Sequence, residues 1–343
     1  MTETMPPVRE AIWRSRVHAE SLVRFGADKP DVVVLSGDLT SSTEADGFKA
    51  AYPDRFFTMG MAEQNMMSVA GGLAREGLTP FVHTFAVFMY RRALDQIEMS
   101  IAYPNLPVKI VGFLPGITTP GGVSHQAIND LAVLRSVPNM TVLECGDAAD
   151  VESILDVAYG VDGPVYLRML RGSMPELFDG PMLLGQARQL GPVGDVLLLT
   201  SGICTGEGMR AVEALRAVGV EVGHLHISTL KPFDDPRVLD ALSANALGVV
   251  TAENHTIIGG LGSAVAELMA ENGIGRKLVR LGLQDTYAHG ASEAYLVREY
   301  GLGAQAIADA IGGLAGAERV DVGDDMGDAS AGAIVRDTPD EDL

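Results

Sequence analysis

Apolar positions along this chain alternate between two spacings. Residues 8–25 carry them three and four apart, which predicts a helix that Gly26 closes. Residues 31–35, Asp-Val-Val-Val-Leu, then form a short β-branched run of the kind that fills a buried parallel strand. The alternation continues, predicting strands over 55–59, 79–83, 109–113, 141–143 and 165–167 and helices over 62–75, 87–101, 129–135 and 148–159. Asp147 and Asp150 open the last helix as cap and first-turn acid. Residues 172–194 hold Pro175, Pro181, Pro192 and several glycines without a period and read as a linker. A second run starts at Asp195 and reaches about residue 316, with strands over 221–227, 248–253 and 277–281. The fold class is α/β: two three-layer domains with mainly parallel sheets, over 8–171 and 195–316. Residues 321–343 are rich in Asp, Gly and Ala and read as an acidic, disordered tail.

Composition narrows the function. The 343 residues suit two domains, because single cores rarely grow past about 250–300 residues. Lys plus Arg is 25 and Asp plus Glu is 45, a net charge of −20, which argues against nucleic acid or an anionic membrane as partner. Cys145 and Cys204 lie far apart among apolar residues and read as buried free thiols, not zinc ligands or a disulfide. The N-terminal stretch lacks the apolar core of a secretory signal, and no apolar run approaches a membrane span of about 18 residues. A soluble, cytoplasmic protein is the expectation.

Three turns carry candidate chemistry. Residues 257–263, Ile-Ile-Gly-Gly-Leu-Gly-Ser, follow a strand and precede a helix, yet Val265 stands where a dinucleotide fingerprint needs a small third residue. A packing turn is the plain reading, with an anion at the free N–H groups as the alternative. Residues 115–126 form a long Gly-rich loop bearing His125 just past a strand, where α/β sheets collect ligands. Glu63 opens a helix among Met59, Met61, Ala62, Met66 and Met67. A carboxyl in such surroundings can share a proton with a ring nitrogen, although a first-turn Glu also serves simply to complement the helix dipole.

Together with their neighbouring segments, these turns resemble the pyrimidine-binding domain of transketolases. The matching segments are 36–42 (Ser-Gly-Asp-Leu-Thr-Ser-Ser), 61–67 (Met-Ala-Glu-Gln-Asn-Met-Met), 84–88 (Thr-Phe-Ala-Val-Phe), 122–126 (Gly-Val-Ser-His-Gln) and 138–140 (Pro-Asn-Met), in the family's order and spacing. The second run resembles the transketolase C-terminal domain, with Ala252 to His255 and Gly259 to Gly262 in the expected places, so the likeness spans about residues 8–316. The resemblance implies thiamine diphosphate as cofactor. It implies that Glu63 bonds the pyrimidine nitrogen opposite the 4′-amino group and so promotes loss of the thiazolium C2 proton. Phe85 and Phe88 would pack the pyrimidine, Arg91 stands where relatives have Tyr or Arg, and Asp38 lies on the same side of the cofactor. His125 would contact hydroxyls of the donor sugar, and Arg171, Ser42 and Arg16 fall near positions that grip a sugar phosphate.

Two departures bear on substrate. Phe113 replaces a phosphate-binding His, and Pro120-Gly121 replaces an acidic pair that reads a sugar hydroxyl. A different ketose, a branched sugar phosphate or another two-carbon donor is therefore open. The family's Mg²⁺ and diphosphate site, a Gly-Asp-Gly segment followed by an Asn about thirty residues later, has no counterpart here. The chain is thus expected to be the C-terminal subunit of a split transketolase. It would act only with a separate N-terminal subunit that holds the diphosphate and Mg²⁺, in a heterotetramer of two plus two. Two rivals remain: the beta subunit of a thiamine-dependent 2-oxoacid dehydrogenase, and a non-catalytic subunit that stabilises its partner.

Overall fold

The computed structural model describes residues 12–323. Along the chain these are β1 (Ile12–Ser15), α1 (Val17–Gly26), β2 (Val32–Ser36), α2 (Asp46–Ala51), β3 (Phe56–Thr58), α3 (Glu63–Arg75), β4 (Thr79–Phe85), α4 (Ala86–Gln96), β5 (Lys109–Phe113), α5 (Asp130–Ser136), β6 (Thr141–Glu144), α6 (Ala148–Tyr159) and β7 (Val165–Met169). Then come β8 (Ser173–Glu176), β9 (Arg188–Gln189), β10 (Val196–Thr200), α7 (Cys204–Ala217), β11 (Val222–His226), β12 (Thr229–Lys231), α8 (Pro236–Ala244), β13 (Gly248–Thr256), α9 (Leu261–Glu271), β14 (Leu278–Leu283), α10 (Glu293–Glu299) and α11 (Ala304–Ala315).

Two sheets organise the molecule. The first has seven strands in the order β12-β6-β7-β5-β4-β2-β3, parallel except for β12. The second has five, β14-β13-β10-β11-β9, parallel except for β9. Helices cover both, so central strands are buried on both faces: Val32, Val33, Val34 and Leu35 of β2 and Val196 to Leu199 of β10 all lie in the core. Each such aliphatic side chain contributes on the order of 1.5–3 kcal/mol by leaving water.

Several expectations change. The helix expected over 8–25 is instead β1 followed by α1, because residues 12–15 pair antiparallel with β8, from Ile12 opposite Glu176 to Ser15 opposite Ser173. Residues 8–11 lie outside the described part. Gly26 is still helical, and what it provides is room: a Cβ there would meet the Phe48 ring at 2.5 Å. The helix expected over 87–101 bends at Ala93 (φ −128°, ψ 23°) and continues as a π-helical turn, Ile97–Ala102. The segment expected as a linker, 172–194, contains β8, which forms a separate two-stranded sheet with β1, and β9, which adds an antiparallel edge strand to the second sheet. Of the expected tail, residues 324–343 lie outside the described part. Its first residues are packed: the Val322 N–H donates to Gln305 Oε1 and Arg210 donates to the Gly323 carbonyl.

The two halves interlock. β12, from the second half, completes the edge of the first sheet beside β6. Arg168 on β7 is fully buried between Asp130 and Glu144, and also donates to the Asn254 carbonyl of β13 at 2.8 Å. Asp150 at the head of α6 meets His226 of β11 at 3.0 Å. Asp147 caps α6 as expected, accepting the Asp150 N–H at 2.8 Å. Both cysteines are buried and unpaired with each other, and burial pushes their thiols up.

Candidate active site

The C-terminal ends of β2, β3, β4, β5 and β7 open on one edge of the first sheet, and the candidate residues follow them. β4 runs into α4 without a loop, so Phe85 ends the strand and Phe88 sits one helical turn on. Their ring centres are 5.7 Å apart and 30° from coplanar. His125 approaches from the long loop after β5, 5.4 Å from Phe88 and 6.5 Å from Phe85, nearly edge-on to both. Ser124 Oγ lies 2.9 Å from His125 Nδ1.

Glu63 is the first residue of α3 and only 6% exposed. Its Oε1 accepts a hydrogen bond from Arg92 Nη1 at 2.6 Å, and the Arg92 guanidinium carbon lies 3.9 Å from the centre of Phe88. Arg92 is four residues past Phe88, the helical spacing that stacks one side chain over the other. This is the main site residue that sequence reasoning missed; spacing from Phe88 suits it but suits Arg91, three residues on, as well. Arg91 points elsewhere. It donates to the carbonyls of Val123 (2.9 Å) and Gln126 (3.1 Å) and to Tyr90 Oη (2.9 Å), so it braces the His125 loop instead of facing the phenylalanines.

The second half also shapes that loop. Asn254 donates to the Pro115 carbonyl at 3.0 Å and accepts the Ile117 N–H at 2.9 Å; Gln126 donates to the His289 carbonyl at 3.1 Å.

A second cluster adjoins the rings. Arg171, just past β7, lies 5.8 Å from the Phe85 ring and donates to the Ser42 carbonyl at 2.7 Å. Burial lowers the proton affinity of its guanidinium. Arg16 adopts a left-handed conformation (φ 54°), and its Nη2 donates to both oxygens of Asp46 at 2.7 Å. Between the arginines, Glu44 accepts the Gly172 N–H at 2.9 Å, and burial pushes its carboxyl up. Arg171, Ser42 and Arg16 are thus brought together, with both guanidiniums already engaged by this chain. Asp38 is exposed just beyond β2.

Phe113 faces the core, not the opening. It packs on His18 (5.2 Å) and His83 (6.2 Å), whose Nε2 atoms are 3.0 Å apart. The Gly-rich turn before α9 is filled from within: the buried Glu253 carboxylate accepts the N–H groups of Leu261 (2.6 Å) and Gly262 (2.9 Å). An internal acid therefore takes the place an external anion would need, and burial pushes it up to about 7. Among the described residues no cluster of three or more His, Cys, Asp or Glu could hold a metal ion, and no helix is long and apolar enough to cross a membrane.

Comparison with known proteins agrees with this architecture. Residues 12–176 match the family "Transketolase, pyrimidine binding domain" and residues 185–307 match "Transketolase, C-terminal domain". The chain is 37% identical to the 6-deoxy-6-sulfo-D-fructose transketolase subunit SqwH of Clostridium sp. (strain MSTE9), over 87% of this chain and 93% of that one. It is 35% identical to 1-deoxy-D-xylulose-5-phosphate synthase of Chlorobium phaeovibrioides, over 86% of this chain and 47% of the other. Among solved structures, a split gene transketolase described as an inactive beta4 tetramer superposes with a TM-score of 0.79 at 39% identity, covering 88% of this chain and 98% of that one. With both halves matched in order and the strand-end site in the matched region, the chain belongs to the transketolase family.

Proposed function

We propose that this chain is the pyrimidine-binding subunit of a two-chain transketolase, transferring a two-carbon ketol unit from a ketose to an aldose. The observation that carries this reading is the buried Glu63 carboxylate beside the Phe85–Phe88–His125 ring cluster. The residues suit thiamine diphosphate's pyrimidine end: the flat Arg92 guanidinium already sits there, stacked on Phe88 and bonded to Glu63. When bound, thiamine diphosphate supplies the carbanion-stabilising chemistry of ketol transfer.

This chain's residues do the rest. Glu63 holds a proton at the ring nitrogen, and the two phenylalanines keep water from the ring face. His125, braced by Arg91 and Ser124, reaches the donor hydroxyls near the reacting carbon. Arg171, with Ser42 and Arg16 beside it, faces the anionic end of the sugar. Asp38, exposed at the opening, lies on the pyrimidine side.

Mg²⁺ and the diphosphate fall to a separate N-terminal subunit, in an assembly of two plus two acting in the cytoplasm. The split-gene relative described as inactive is a tetramer of beta subunits, which supports a requirement for the second chain. The sulfosugar relative widens the donor class to ketoses ending in phosphate or sulfonate.

The test is to co-purify the chain with a companion carrying Gly-Asp-Gly and the later Asn, then assay two-carbon transfer from phosphorylated and sulfonated ketoses. Glu63→Gln is expected to lower kcat by about 10²–10⁴-fold while leaving the complex assembled. An unaffected rate would show that the chain only scaffolds its partner. Decarboxylation of a 2-oxoacid, with CO2 released and the acyl group passed to a lipoyl disulfide that is thereby reduced, would favour the dehydrogenase reading instead.

A further inference from the structure

Arg92 makes two contacts that together have a particular shape. Nη1 donates to Glu63 Oε1 at 2.6 Å, and the guanidinium lies over Phe88 with its carbon 3.9 Å from the ring centre. A guanidinium is flat, delocalised and lined with N–H donors at its edge, and it stacks on aromatic faces. An aminopyrimidine is also flat, with its polar atoms at the edge. It would use the same carboxylate and the same aromatic surface. Of the planar groups around Phe88, the guanidinium is the nearest, since the Phe85 and His125 ring centres are 5.7 and 5.4 Å away.

Resting on the proposed function, in which Glu63 and the phenylalanines receive the pyrimidine, we propose that Arg92 is a displaceable occupant of that seat. In the chain without cofactor its guanidinium stands in for the ring, and it moves into solvent when the ring enters. Exposure supports the direction of movement. The Arg92 side chain is 45% exposed while that of Glu63 is 6% exposed, so the arginine has a route outward and the carboxylate does not. The backbone supports it too, because α4 leaves helical geometry at Ala93, the residue after Arg92. Its neighbour Arg91 is tied down by three hydrogen bonds, so the two adjacent arginines divide the work: one braces, the other vacates. A seat occupied from within scales apparent affinity by the fraction of molecules in which it stands empty. The pyrimidine half alone would therefore bind weakly, and tight capture would await the chain that grips the diphosphate.

The full chain can be tested without a partner, using neutral 4-amino-5-hydroxymethyl-2-methylpyrimidine as probe and ligand-observed NMR titration as readout. A neutral probe avoids a gain caused merely by deleting a positive charge. Arg92→Leu is expected to bind the probe about ten-fold more tightly than the unaltered chain. Arg92→Lys, which keeps the charge but not the plane, should fall between them. The gain should vanish in the Arg92→Leu, Glu63→Gln double variant. Equal or weaker binding by Arg92→Leu, or no measurable binding by it, overturns the proposal, provided its thermal unfolding matches the unaltered chain. The two readings separate cleanly. Binding insensitive to Glu63→Gln in every background rejects Glu63 as the pyrimidine contact. Binding weakened by Glu63→Gln but not strengthened by Arg92→Leu rejects only the occupant.

Discussion

Gly121 and His125 cannot both keep their places if residue 121 gains a side chain. A Cβ on Gly121 would lie 2.8 Å from both Cβ and Cγ of the histidine. The absence of an acidic side chain at position 121, within the loop that bears His125, is thus a condition for the position of the His125 ring beside Phe88. Gly121→Asp should push the imidazole away and lower kcat/KM of the assembled enzyme by about 10²-fold, the scale of a 1 Å misplacement. Because the position is exposed, the unfolding midpoint should barely move. Unchanged kinetics would show that His125 does not need that position.

Arg168 offers a test of the interlock. It is fully buried, bonded to Asp130 and Glu144 and to the carbonyls of Ala127 and Asn254. Arg168→Met leaves two buried carboxylates without their cation and should cost about 3–5 kcal/mol in urea unfolding. A loss below about 1 kcal/mol would mean that the carboxylates find other partners.

The buried His18–His83 pair sets a direction with pH. Burial pushes His83 down to about 4 and also lowers His18, which faces a second imidazole. An unfolded histidine titrates near 6.5, so the folded chain resists a proton that the unfolded chain accepts. Their contribution is complete above pH 6.5 and is lost as pH falls toward 4, on the order of 3 kcal/mol from His83 alone. Urea midpoints at pH 7.5, 5.5 and 4.5 should decline less steeply for His83→Gln than for the unaltered chain. Parallel declines would contradict the assignment.

The thiols give a simple probe of the core. Cys145 and Cys204 are fully buried, and burial raises both above the ordinary thiol range. Neither should react with an aromatic disulfide reagent within minutes in buffer, and both should react at once in denaturant. Rapid labelling of one thiol in the native chain would point to local opening around β6 or α7.

Sequence pattern alone reached most of the first sheet, because strands such as β2 and β5 are continuous buried runs bounded by turns. It failed where pairing is distant. β1 looks like the start of a helix by spacing, and its partner β8 lies some 160 residues away, inside a stretch that composition marks as a connector. At the site, Glu63 stood out as a helix-opening acid among apolar residues and His125 as a loop histidine just past a strand, whereas Phe85 and Phe88 were singled out only through the resemblance to transketolases. Which of two neighbouring arginines meets Glu63 was not, because that depends on how α4 is rotated against the loop it braces.

The short β12 strand has a practical corollary for anyone dissecting the molecule. Since it lends its backbone to the far unit's sheet, cutting the polypeptide around residues 177–186 should leave two fragments that co-migrate on a sizing column. Producing residues 12–176 by themselves would bare the flank of β6 and invite self-association.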